Sequence, residues 1–286
     1  MNTLSVVIIT FNEERNIKRC LDSVVLVADE IIVVDSHSTD ATEAICDRYD
    51  VKFFTQDWIG YIGQKNLAND LASCDLILSI DADEALSKEL TESIQKIKNQ
   101  DIENKAFSMN RLMNYCGKWI RHCGWYPDTK VRIFRRGQAE WTGKKVHETL
   151  SLAENTEIVH LDGDLLHYSY YSPEEHRRRI EKYALLSAEE MAESGKRPSA
   201  ASAYLHAGWK FLRDYVFKAG FLDGGKGWII CKTNAYGVWY KYKKARALLA
   251  QLSPYSSPLG TTFLTFDCAS KACAKTPTSG IRLSSW

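Results

Sequence analysis

Runs of apolar residues alternate with helical spacings over the first hundred residues. Four Val- and Ile-rich runs predict strands at 4–10, 30–35, 51–55 and 75–80. Apolar residues at three- and four-residue intervals predict helices at 13–24, 39–49, 61–72 and 87–99. Because near-continuous apolar strands alternate with helices, the pattern predicts an α/β fold with a mainly parallel sheet and helices on both faces.

The pattern changes after about residue 105. Strands are predicted at 106–115 and 130–135, a short strand at 157–161, and a charged helix at 173–194. The segment 204–249 is basic and aromatic, and the last residues are rich in Ser, Thr, Pro and Gly. We therefore predict three parts: an α/β domain (1–200), a basic aromatic helical extension (201–252) and a poorly ordered tail (253–286).

Composition and charge add limits on the function. The chain has 286 residues, of which 45% are hydrophobic and 26% charged, with a formal net charge of +1. A polyanion-binding role for the whole molecule is therefore disfavoured. The eight cysteines form no Cys-x-x-Cys pair, so we expect free thiols in a reducing compartment rather than a zinc site. No signal peptide or membrane-spanning segment is predicted, so we expect a cytoplasmic protein.

Two acidic positions follow predicted strands at the edge of the sheet where ligands bind. Asp81 and Asp83 are two residues apart after the fourth strand. Hard divalent cations such as Mg²⁺ or Mn²⁺ bind carboxylates together with substrate phosphates, although a solvated acidic turn would also explain the pair. Asp35 ends the second strand, where an acid can bind a nucleotide's base or ribose. No Gly-x-Gly-x-x-Gly follows the first strand, which argues against a nicotinamide enzyme.

Taken in order, three segments resemble the inverting glycosyltransferases of family 2. They are Ser5-Val-Val-Ile-Ile-Thr-Phe-Asn-Glu-Glu14, Val33-Val-Asp-Ser-His-Ser-Thr-Asp40 and Ile80-Asp-Ala-Asp-Glu84. A second block, with 124–128, 131–134 and Val146-His147-Glu148, resembles the lipopolysaccharide core β-glucosyltransferase subgroup. The resemblance covers residues 4–250 and implies a GT-A-like nucleotide-binding domain with a C-terminal helical extension.

The resemblance also implies roles for individual residues. The donor nucleotide site would comprise Thr10, Asn12, Glu14, Asp35, Lys65 and Asp81. Asp81 and Asp83 would bind the diphosphate and its divalent metal. The donor would be a nucleotide-sugar, UDP-glucose in the subgroup, and the acceptor a lipid-linked saccharide of the cell envelope.

The catalytic base is expected in the His147-Glu148 pair. An inverting transfer needs one general base for the acceptor hydroxyl. We favour Glu148, with His147 as its competitor because imidazole titrates near neutral pH. An ion pair of either residue with Lys144 or Lys145 is the structural alternative.

Two further residues are expected between the donor and acceptor sites. The planar guanidinium of Arg132 suits phosphate recognition, and Trp125 offers an apolar face for a sugar ring. Core packing explains Trp125 equally well. The remaining histidines are interpreted as structural or surface residues: His122, His160, His167, His176 and His206.

The basic aromatic segment admits three interpretations. Rings and cations together suit the headgroup region of a membrane, and we expect peripheral contact with the inner face of the cytoplasmic membrane. Single-stranded nucleic acid is disfavoured, and two packed helices with a solvated basic face are the structural alternative. Two other functions stay open for the whole chain: a nucleotidyltransferase that releases pyrophosphate, and a non-catalytic membrane-binding tether.

Overall fold

The computed structural model of the protein describes residues 1–144 and 147–252. The strands are β1 (Leu4–Thr10), β2 (Glu30–Asp35), β3 (Lys52–Thr55), β4 (Leu76–Asp81), β5 (Glu84–Leu86), β6 (Lys105–Tyr115), β7 (Lys118–Ile120), β8 (Thr129–Arg135), β9 (Ala139–Lys144), β10 (His147–Leu152) and β11 (Glu157–Tyr170). The α-helices are α1 (Ile17–Val24), α2 (Thr42–Cys46), α3 (Gly60–Leu71), α4 (Lys88–Ile97), α5 (Pro173–Glu193), α6 (Ala200–Leu212) and α7 (Gly224–Leu252). The predicted tail, 253–286, lies outside the described residues.

One large sheet forms the centre of the molecule, in the order β3-β2-β1-β4-β8-β6-β11-β5, with β7 paired to β6. Strands β3, β2, β1 and β4 are parallel, as are β6 and β11. Strand β8 lies antiparallel between β4 and β6. The predicted α/β fold is confirmed, and the departures from parallel pairing lie at β8 and at the short strands β5 and β7.

The period-two alternation of β1 explains why helices cover both faces of the sheet. Leu4, Val6 and Ile8 pack in one core cluster with α1 and α4, whereas Val7 packs in a second cluster with α3. All four side chains are essentially inaccessible to solvent. Burial of one such side chain contributes roughly 1.5–3 kcal/mol to folding, so the sheet is held from both sides.

Capping residues fix where several helices begin. Ser87 and Ser172 accept hydrogen bonds from the backbone N–H groups of Leu90 and Glu175, as expected for N-caps of α4 and α5. Helix α1 begins four residues later than predicted, because the chain turns at Asn12, which has a φ of 54°. Three elements were not predicted at all: β5, β7 and the β9–β10 hairpin.

The C-terminal helices pack together as the predicted helical extension. Helix α7 packs along both α5 and α6. Between α6 and α7 the chain forms a π-helical turn (Arg213–Phe217) and a 3₁₀ turn (Gly220–Asp223). Since α5 lies against α7, the division of the chain at residue 200 stays a prediction. Within the described part of the chain, no helix combines the length and apolarity needed to cross a bilayer.

Candidate active site

An open crevice of about 1090 Å³ lies at the carboxyl ends of β1, β2 and β4. The register of the strands brings these ends together, because Thr10 pairs with Asp35 and Ile9 pairs with Asp81. One wall consists of sheet and loop residues, and the opposite wall is a basic and aromatic face of α5. The residues that line the crevice include Thr10, Glu13, Ser36, His37, Trp58, Tyr61, Asp81, Asp83, His167, Arg178, Lys182 and Tyr183.

Asp81 lies on the crevice floor between two cations. Its carboxylate is 2.9 Å from Lys65 Nζ and 3.4 Å from Arg132 Nη2. Burial acts to raise the pKa of Asp81, but the charges of Lys65 and Arg132 outweigh it and lower the pKa. The predicted donor residues Lys65 and Asp81 are therefore in contact, and Asp81 is fully ionised at neutral pH.

Beneath this floor, Glu84 is a buried acid that sequence reasoning assigned no role. Its carboxylate is 2.9 Å from Arg132 Nη2 and 3.5 Å from Arg111 Nη1. It also accepts a hydrogen bond from the backbone N–H of Asp81. Glu84 thus fixes both the backbone of Asp81 and the guanidinium that neutralises it.

This arrangement corrects the expectation for Arg132. The residue is 3% exposed and is absent from the crevice lining, so its side chain does not lie between donor and acceptor. Its position on β8, next to β4, directs the guanidinium at Asp81 and Glu84 from below. Arg132 therefore positions the floor of the crevice.

Asp83 is paired with a histidine whose role the sequence did not reveal. His167 Nε2 is 3.0 Å from Asp83 Oδ2, and both residues line the crevice. His167 lies on β11, which continues nine residues beyond its predicted end because it follows β6 and then pairs with β5. The sequence carries no clear signal for this extension, because the buried positions Leu165, His167 and Ser169 include two polar residues.

The chemistry of this floor suits a divalent cation. Asp83 and neutral imidazole are both metal ligands, and one oxygen of Asp83 makes no contact with His167. Among the described residues, no three His, Cys, Asp or Glu side chains form a ready metal cage. A cation here would therefore bind through Asp83, with Asp81 and His167 beside it, and through substrate phosphates.

The first loop presents Glu13, not Glu14, to the crevice. Burial, followed by the charges of Asp83, Asp40 and Asp81, raises the pKa of Glu13 to about 7, although a hydrogen bond from Asn16 opposes the shift. The Glu14 carboxylate instead accepts a hydrogen bond from the Ala41 backbone N–H. The expectation that Glu14 lines the donor site is therefore corrected: Glu13 lines the crevice instead.

Of the other predicted donor residues, one lines the crevice and two support the loops around it. Thr10 lines the crevice and is almost fully buried. Asn12 accepts a hydrogen bond from the Thr39 backbone N–H at 2.8 Å and so joins two loops. Both oxygens of Asp35 accept hydrogen bonds from Ser38. Asp35 therefore supports the turn, and its neighbours at 36–37 line the crevice.

The favoured base lies on the β9–β10 hairpin, which packs against α3, the helix that carries Tyr61. Glu148 is half-buried and pairs with Gly143 across the hairpin, and it is not among the residues that line the crevice. Burial raises the pKa of Tyr61, and the charges of Tyr183, Asp81 and Glu148 add to this effect. The side chain of His147 and residue Lys145 lie outside the described part of the chain, so the competing assignments there stay predictions.

Trp125 occupies an aromatic cluster away from the crevice lining. Its ring stacks on Tyr170 at 5.7 Å and meets the edges of Tyr115 and His176. The cis peptide before Pro127 lies in the same loop. The packing interpretation describes Trp125, and the expected sugar-stacking role is not supported by its position.

Comparison with known proteins assigns the chain to a family. The model of "Glycosyl transferase family 2" matches residues 5–104. An uncharacterized glycosyltransferase of Rickettsia bellii is 31% identical over 94% of this chain and 95% of its own length. The chain belongs to glycosyltransferase family 2.

Two further similarities were found. The lipopolysaccharide core biosynthesis glycosyltransferase LpsC of Rhizobium meliloti is 32% identical over 81% of this chain and 87% of LpsC. Residues 1–349 of S. aureus TarS are 16% identical, with a TM-score of 0.42, over 87% of this chain and 91% of the TarS chain. The family-2 assignment makes the crevice at Asp81 and Asp83 the candidate active site of a glycosyltransferase.

Proposed function

We propose that this family-2 enzyme transfers glucose from UDP-glucose to a lipid-linked saccharide of the lipopolysaccharide core, at the inner face of the cytoplasmic membrane. The observation that carries the proposal is the pair of carboxylates, Asp81 and Asp83, on the floor of an open crevice with Lys65 beside them. Similarity to LpsC supports the acceptor class. Uridine and glucose rest on the resemblance to the β-glucosyltransferase subgroup.

Different residues of the crevice have different roles in the proposed inverting transfer. Asp81 and Asp83 would hold a divalent Mg²⁺ or Mn²⁺ ion, which supplies positive charge to the leaving diphosphate. Arg178 and Lys182 lie one helical turn apart on the opposite wall and add two further cations around the phosphates. Trp58 and Tyr61 offer exposed rings that suit a sugar ring.

The proposed chemistry is a single displacement at the anomeric carbon. The acceptor hydroxyl oxygen forms the new bond as the bond from carbon to the diphosphate oxygen breaks, and the configuration inverts. Glu148 takes the hydroxyl proton, a role that rests on the family resemblance and on the packing of its hairpin against α3, which carries the crevice residue Tyr61. The two electrons of the broken bond leave with the nucleoside diphosphate.

The test follows labelled glucose from UDP-glucose to lipopolysaccharide that is truncated within its core. We expect Glu148→Gln to lower kcat by about 10²- to 10⁴-fold while donor binding is retained. Glu154→Gln, on the loop after the hairpin, is the matched control. Unchanged turnover in Glu148→Gln would exclude it as the base and move the assignment to His147.

The same assay separates the other functions. Anomeric analysis of the product should give a β-linkage from the α-linked donor. Release of pyrophosphate from UTP and glucose 1-phosphate, without glucose transfer, would identify a nucleotidyltransferase instead. Vesicle binding with neither activity nor nucleotide binding would identify a tether.

A further inference from the structure

The surface around the turn between α6 and α7 exposes a concentration of large apolar side chains. Eight of them, here called the apolar apex, are between 43% and 72% exposed: Leu205, Trp209, Leu212, Val216, Phe217, Phe221, Leu222 and Trp228. Large apolar patches of this kind mark interaction surfaces, whereas single exposed apolar residues are ordinary. The patch therefore needs a partner that covers it.

The apex is continuous in space. Leu205, Trp209 and Leu212 fall within about 60° of one another around α6, because successive residues turn by about 100°. The Trp209 ring lies 5.9 Å from Phe217 in the following turn. Tyr215 contacts Phe221 and the Trp228 ring at the start of α7, which extends the patch to the second helix.

The backbone of the turn is irregular but firmly anchored. The π-helical turn is followed by Ala219 with a φ of 51°, a left-handed conformation that is unfavourable for a non-glycine residue. Buried Asp223 accepts a hydrogen bond from the His122 backbone N–H, and Lys118 Nζ donates to the Asp223 carbonyl. The apolar side chains are thus presented by a rigid turn that is attached to the β7 region.

The charge of the extension favours an anionic partner. The segment 204–249 holds nine Lys and Arg residues and two acids, Asp214 and Asp223, which are both buried. Lys210 and Arg213 pair with Asp214. For the other seven cations, the described residues provide no carboxylate within 4.0 Å. Lys218 directly follows Phe217 and is exposed, so a cation lies at the rim of the apex.

We propose that the apolar apex inserts into the headgroup region of an anionic lipid bilayer, while Lys218 meets the lipid phosphates at its rim. Aromatic rings and cations together favour this boundary, because the rings enter the acyl edge and the cations stay among the phosphates. This narrows the membrane contact from the whole basic aromatic segment to one surface. Its role in catalysis rests on the proposed lipid-linked acceptor.

The test measures sedimentation of the full chain with vesicles of phosphatidylcholine, with and without phosphatidylglycerol. We expect binding that requires phosphatidylglycerol and weakens with added salt. Trp209→Ser combined with Phe217→Ser should reduce binding about tenfold or more, since two exposed rings no longer become buried in the bilayer. Leu26→Ser combined with Phe54→Ser, exposed apolar residues outside the apex, should bind as wild type does.

Further measurements separate a loss of vesicle binding from a loss of folding or of donor binding. Leu222→Gln is a second apex variant that creates no buried cavity, and thermal unfolding verifies the fold of each variant. Calorimetric binding of UDP by the same variants is expected to be unchanged, so failure of docking is separable from failure of the donor site. Equal vesicle binding by apex and control variants would overturn the proposal. So would an apex-dependent dimer, or vesicle binding that appears only after truncation at Leu252.

Discussion

At the residue scale, Glu13 is a crevice carboxyl group whose ionisation the fold opposes. Its pKa is raised to about 7 from an ordinary value of 4.5, first by burial and then by neighbouring carboxylates. Between these two values the unfolded chain loses the proton while the folded chain keeps it. Folding stability therefore falls as the pH rises through this window and stays low above it.

We predict that Glu13→Gln removes this penalty in the metal-free protein. The variant should be more stable than wild type by roughly 1–3 kcal/mol at pH 8, with little difference at pH 4. Urea unfolding in EDTA at both pH values measures it. Glu14→Gln, whose carboxylate faces the Ala41 backbone outside the crevice, is the control. A difference that is equal at both pH values would contradict the assignment.

Arg132 is expected to stabilise the fold by compensating the buried charge of Glu84. Its guanidinium is the nearer cation to the fully buried Glu84, since Arg111 lies 3.5 Å away. Replacement by Met leaves Glu84 poorly compensated, and we expect a loss of roughly 3–5 kcal/mol in unfolding free energy. Arg135→Met, an exposed position on the same strand, should change it by less than about 0.5 kcal/mol. A small effect in both variants would contradict this and show that Arg111 alone compensates the charge of Glu84.

At the element scale, the β9–β10 hairpin packs through Leu150 and Leu152 against the second core cluster, and Asn66 of α3 adds hydrogen bonds to its backbone. Asn66 donates to the Trp141 carbonyl at 2.9 Å and accepts from the Trp141 backbone N–H at 2.8 Å. Asn66→Ala should therefore increase amide hydrogen exchange in 139–144 and 147–152 and reduce turnover more than donor affinity. Asn114→Ala, which frees a turn at Gly117, should leave that exchange unchanged.

The elements also differ in how far the sequence predicts them. Strands β1 and β2 have their predicted bounds, because each contains an unbroken run of Val and Ile residues, 6–9 and 31–34, that is buried on both faces. Strand β11 and the hairpin were missed in whole or part, because their pairing is non-local and their exposed residues carry no clear period. His167 and Glu84 were missed for the same reason: they face each other in the non-local β5–β11 pairing, which brings His167 to the crevice and Glu84 beneath its floor.

At the scale of the whole molecule, the crevice and the apolar apex belong to different parts of the chain. Helix α5 supplies one wall of the crevice and also packs along α7. The segment 253–286 follows α7 and lies outside the described residues. We predict that truncation after Leu252 leaves turnover with UDP-glucose within about twofold of the full chain. A large loss in a truncated protein that unfolds at the same temperature would contradict this.

The central claim is that Asp81 and Asp83 hold a nucleotide-sugar together with a divalent cation. Calorimetric titration of UDP-glucose into wild type, Asp83→Ala and the exposed control Asp70→Ala, each with and without Mn²⁺, tests it most directly. We predict that wild type and Asp70→Ala bind UDP-glucose only with Mn²⁺, and that Asp83→Ala does not bind it. Equal binding by Asp83→Ala, or no nucleotide-sugar binding by wild type across uridine, guanosine and adenosine donors, would contradict it.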